Sequence, residues 1–98
     1  MLQEQIINNL IAAILAGGYT ITVNDGDDDV LKYSTDATRI INNMGSTEMD
    51  LLNVYQDNEY IGFILLIPSN GDDIVSNHSG NDIITNIVDK VLEDLGVL

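Results

Sequence analysis

Apolar residues along this chain keep two different periods. From Leu2 to Ala16, the residues Ile6, Ile7, Leu10, Ile11, Ile14 and Leu15 fall on one stripe, with Gln3, Glu4, Asn8 and Asn9 mostly opposite, and Gly17-Gly18 follows. Paired apolar residues one turn apart, closed by glycine, predict a helix over Leu2–Ala16. The same doubled spacing returns from about Asn81 to Leu95 in Ile83, Ile84, Ile87, Val88, Val91, Leu92 and Leu95. Ser79 with Asp82 approximates a capping box and Gly96 closes this second amphipathic helix.

Between the two helices the period shortens. Tyr19 to Val23 reads YTITV and Val30 to Ser34 follows the tip Asn24-Asp25-Gly26-Asp27, so Asp-Gly between two β-enriched runs predicts an antiparallel hairpin. Ser34 or Thr35 then caps a short helix with Asp36 in its first turn, an apolar face of Ala37, Ile40, Ile41 and Met44, and Gly45 at its end. Ser46 to Asp50 reads as a loop. A second hairpin runs from Leu51–Tyr55 through Gln56-Asp57-Asn58-Glu59 to Tyr60–Ile67. YIGFILLI is almost continuously apolar, which predicts a central strand buried on both faces. Pro68 and Ser69-Asn70-Gly71-Asp72 end it, and Asp73 to Asn77 supplies a fifth, edge strand.

These elements predict an α+β domain spanning 1–98, in which an antiparallel sheet of four or five strands carries three helices on one face, in the order α-β-β-α-β-β-(β)-α. A chain of 98 residues supports one core and excludes a second domain. There is no Cys, so disulfides, thiolate metal sites and Cys nucleophiles drop out. The N-terminal run lacks a basic leader and is far shorter than the roughly 20 apolar residues a membrane span needs. A soluble, intracellular protein is the expectation.

Charge changes the picture more than any motif. Sixteen Asp and Glu stand against three Lys and Arg, a formal net charge of −13, although 45% of the residues are hydrophobic. An acidic disordered tail would lack those apolar stripes, so the chain is expected to fold and to present a strongly negative surface. Nucleic-acid backbones and anionic lipid surfaces repel such a surface, whereas basic proteins complement it.

The local constellations carry less. Asp25, Asp27, Asp29 and Asp36 fall at positions 1, 3, 5 and 12 of a calcium-loop template, but the turn position holds Val30 in place of Gly and position 12 is not Glu. A solvated hairpin tip is the better reading. His78, beside Ser76, Ser79, Asp72 and Asp73, allows a Ser/His/Asp arrangement on paper, yet no G-x-S-x-G surrounds any serine. The pairs Asp72/Asp73 and Glu93/Asp94 would need a concave pocket to do acid–base work. Gly17-Gly18 and Gly62 match no phosphate-binding loop. The chain therefore reads as non-enzymatic, without metal or cofactor.

The segments Val23-Asn24-Asp25-Gly26, Lys32-Tyr33-Ser34-Thr35-Asp36, Gly62 to Ile67 and Asn70 to His78 together resemble small acidic proteins of unknown function common in phage genomes and prophages. That resemblance implies a phage origin and the cytoplasm of a host cell, and no site residues. In size, charge and α+β character the chain is also similar to phage-encoded anti-restriction and anti-CRISPR DNA mimics, an analogy without a shared motif.

Carboxylates fixed on a rigid fold can imitate part of the charge array of duplex DNA. The expected working surface is Asp25, Asp27, Asp28, Asp29, Asp57, Glu59, Asp72 and Asp73, gathered by the turns at one end of the sheet. Its expected partner is a basic, nucleic-acid-binding host protein. The alternatives are a structural or interaction protein, such as a homodimer or a virion or adaptor component, acting through apolar helix surface, and acidity that serves only solubility or salt adaptation.

Overall fold

The protein is described by a computed structural model covering residues 2–45 and 47–97, with the side chains of residues 70–72 outside the described set. Helix α1 spans Leu2–Ala16, strands β1 and β2 span Thr20–Asn24 and Asp29–Ser34, and α2 spans Ala37–Asn42. Strands β3 (Asp50–Gln56) and β4 (Glu59–Leu66) follow, then a 3-10 segment Pro68–Asp73, β5 (Val75–His78) and α3 (Asp82–Asp94). All pairings are antiparallel in the order β2-β1-β3-β4-β5, so β3 is central and the fold is α+β as expected.

One cluster of buried residues joins the helices to one face of this sheet. Ile6, Leu10, Ile11 and Ile14 of α1, Ile40 of α2, and Ile84, Val88 and Val91 of α3 pack with Ile21, Val23, Leu52, Val54, Ile64 and Leu66. The strand residues alternate because successive side chains of a strand point to opposite faces. Gly62 fits this inner face because α3 begins directly over it: a Cβ there would sit 2.7 Å from Ile84 Cγ1 and 2.8 Å from Ser79 Oγ. Ile83, expected on the apolar stripe of α3, lies outside the core at 41% exposure.

The run YIGFILLI is not buried on both faces. Ile64 and Leu66 are buried, but Ile61, Phe63 and Leu65 are only half-buried and Tyr60 is 51% exposed, because all three helices pack against the opposite side. Both helix caps also differ from expectation. Asp36 itself caps α2, its Oδ1 accepting from the Thr38 and Arg39 amides, while Ser34 Oγ accepts from the Asp36 amide. Asn81 caps α3 by accepting from the Ile84 amide, because Ser79 is already committed to the sheet, where it exchanges bonds with the Phe63 backbone. The segment after Pro68 is a 3-10 turn, and β5 starts two residues later than its predicted position.

Candidate functional site

The β1–β2 tip holds two of its four carboxylates, Asp25 and Asp29, by hydrogen bonds. Asp25 Oδ1 accepts from the amides of Asp27 (3.0 Å) and Asp28 (2.9 Å), Asn24 Oδ1 accepts from the Gly26 amide (2.8 Å), and Asn24 Nδ2 donates to Asp29 Oδ1 (3.0 Å). Gly26 takes a φ of 106°, a left-handed conformation that favours glycine. The backbone bonds from Asp28 and Asp27 hold the Asp25 carboxyl below its ordinary value. The Thr47 hydroxyl, 2.6 Å from the Asp25 carbonyl, ties this tip to the segment before β3.

Strand register decides which carboxylates meet. Asn24 pairs with Leu51 and Thr20 with Tyr55, so the β1–β2 tip and the β3–β4 tip lie at opposite ends of the sheet. The expected single cluster is therefore divided. Asp25, Asp27, Asp28 and Asp29 occupy one end, whereas Asp57 and Glu59 stand at the other, about 15 Å of strand away. Asp73 stands at the same end of the sheet as the first group, on the far side of β3 and β4, because Leu66 pairs with both Asp50 and Val75. Asp72 has its side chain outside the described residues. Glu48 in the preceding loop adds to the same pole. Glu4 at the start of α1 joins it too, next to Gln3, whose Nε2 donates to the Pro68 carbonyl. Among the described residues the one ion pair is Lys90–Asp94 at 3.8 Å on exposed α3, so none of the described carboxylates of this pole is paired.

Asp50 was expected in a loop and instead opens β3 with 0% of its surface exposed. Its Oδ2 accepts from the Gly45 amide at 3.0 Å, and Oδ1 has no hydrogen-bond partner among the described residues. Desolvation raises its pKa above the ordinary 3.8, the Gly45 bond opposes this, and the Asp25 charge adds to it. A carboxyl whose folded pKa is raised binds its proton more readily in the folded state. Its penalty is then fully present above the folded pKa and relieved as pH falls through it. The unfolding free energy of the wild type minus that of Asp50→Asn should therefore rise as pH is lowered from neutral toward the acidic range, with the carboxylates not coupled to Asp50 cancelling in the difference. Urea titrations at a series of pH values check this, and a pH-independent difference would contradict the assignment.

The uncovered face of the sheet carries a feature that sequence reading missed. Tyr33, Tyr55 and Tyr60 form two edge-to-face pairs, with centroids 4.9 and 5.4 Å apart. Desolvation raises the Tyr55 pKa, and Tyr33, Asp29 and Tyr60 nearby push it the same way. Tyr33 reaches this cluster through a bulge: its φ is 51° and its amide donates to Thr22 Oγ1. Tyr55 and Tyr60 flank a recognisable turn, but Tyr33 joins them only through the β2-β1-β3 strand order.

Catalytic arrangements find little geometry. His78 Nδ1 lies 2.8 Å from the Ser79 carbonyl, and Ser79 Oγ is occupied by the Phe63 amide. Among the described residues no group of three or more His, Asp or Glu side chains is placed to hold a metal ion, and no helix is long and apolar enough to cross a membrane. No protein-family model, curated protein or solved structure matches this chain.

Proposed function

We propose that this chain is a non-enzymatic acidic protein of phage type that binds and blocks a basic, nucleic-acid-binding host protein by presenting a DNA-like carboxylate surface. The observation that carries the reading is the acidic pole. A hydrogen-bonded tip holds the Asp25 and Asp29 carboxylates and the backbone that carries Asp27 and Asp28, with Glu48 and Asp73 at the same end of the sheet and no described cation paired to any of them. The two held carboxylates lose little conformational freedom on binding, and the field of the whole pole steers a cationic partner. Asp57 and Glu59 lie outside this footprint, so the surface proposed here is smaller than the full acidic set.

Immobilised protein exposed to a bacterial lysate should retain a basic nucleic-acid-binding protein at low salt, release it as salt rises, and lose it to added duplex DNA. Retention of no such protein, or retention that DNA does not disturb, would refute the reading. Binding that survives high salt would point instead to apolar contact. The half-exposed tyrosine face of the sheet favours that second reading over the helix surface.

A further inference from the structure

We infer that a groove at the acidic pole receives one cationic side chain of a partner, an arginine or lysine on its aliphatic stem. The groove, about 400 Å³, runs between α1, α2 and the 3-10 segment. Ile7, Ile41, Met44 and Pro68 form its walls, Glu4 stands at its rim, and Asp50 is part of its lining. Apolar walls with a carboxylate below and another at the edge match the build of a lysine or arginine, which lays its methylenes on apolar surface and keeps its charge on a polar partner.

Asp50 distinguishes this groove from the exposed acidic tip. Accepting from the Gly45 amide accounts for Oδ2 alone, and a buried carboxylate oxygen without a partner is costly. A guanidinium or ammonium supplies the missing donor and the missing charge together. Oδ1 is closed to solvent in the free protein, and Met44, unbranched and adjustable, is the wall residue able to make way. The inference rests on the polycation reading for the source of the cation, while the groove itself can be tested without any partner.

The probe is butylguanidinium, with butylurea as the neutral molecule of the same shape, added at constant ionic strength to isotopically labelled full-length protein. Butylguanidinium should produce saturable shifts in the methyl signals of Ile7, Ile41 and Met44 and in the Gly45 amide. Butylurea, or the Asp50→Asn protein, should bind about tenfold or more weakly, the scale of one lost charge-assisted hydrogen bond. Asparagine can still accept from the Gly45 amide, which spares the fold. Ile41→Trp, at a position already 39% exposed, fills the groove from its wall and should abolish the shifts. Non-saturating shifts, equal binding of butylurea, or full binding by Asp50→Asn would overturn the site. Failure of N-acetyl-Gly-Arg-Gly-amide, which carries the same single charge as butylguanidinium, to produce the shifts that butylguanidinium produces would overturn its assignment to a partner side chain. If butylguanidinium binds in the groove while no basic protein is captured from lysate, the polycation reading fails and the site stands; the reverse pattern removes the site alone.

Discussion

Replacing Leu10 by Ala lowers the unfolding free energy by about 2–5 kcal/mol and the melting temperature by at least about 10 °C. Leu10 is fully buried at the middle of α1, the helix that touches α2, α3, β1 and the 3-10 segment. Its truncation leaves a cavity in the core that the surrounding elements would have to close, and close-packed elements relax only partly. Against a total stability of roughly 5–15 kcal/mol for a small domain, this is a large fraction. Ile83→Ala supplies the internal comparison: at 41% exposure it should change stability by no more than about 0.5 kcal/mol. Thermal melts followed by circular dichroism measure both. Equal effects at the two positions would mean that α1 is not the hub of the core.

The second large effect concerns binding. Changing Asp25, Asp27, Asp28 and Asp29 together to Asn should weaken retention of the captured basic protein by about tenfold to a thousandfold, given up to about 1 kcal/mol for each exposed pair. The same change should flatten the salt dependence of binding. Asparagine carries the oxygen that the turn uses, so the bonds from the Asp27 and Asp28 amides to residue 25 and from Asn24 to residue 29 can persist while the charge is removed. Pattern and net charge are separated by two double variants that each remove two charges. Asp27→Asn with Asp28→Asn should cost much more affinity than Asp57→Asn with Glu59→Gln, since these pairs stand at opposite ends of the sheet. Equal losses in a binding titration would reduce the working feature to total charge.

The two long helices and both hairpins are legible in the chain because each rests on a local signal: doubled apolar spacing closed by glycine, or polar tips between β-enriched runs. The helix caps are not legible in the same way. Ser79 and Ser34 are sound capping residues locally, but the fold commits Ser79 to β4 and leaves the caps to Asn81 and Asp36. The run from Tyr60 to Ile67 has the hydropathy of a doubly buried strand, but hydropathy reports how apolar a strand is and not how many layers cover it. With the three helices all on one side, its outer residues remain half-exposed.

Candidate site residues divide along the same line. The composition settles that the surface is negative, and the Asn-Asp-Gly-Asp sequence settles that the first tip is a carboxylate-bearing turn, since turn chemistry is decided within a few residues. No local signal could tell that Asp57 and Glu59 face away from that tip, that Tyr33 meets Tyr55, or that Asp50, one acidic residue among sixteen, is buried beside a groove. Each of these depends on which strands pair, in what register, and which helix lies over them. Local signals along the chain set most of its elements and the sign of its field; where the charges stand follows from the fold, because distance between residues far apart in the chain exists only once the sheet has formed.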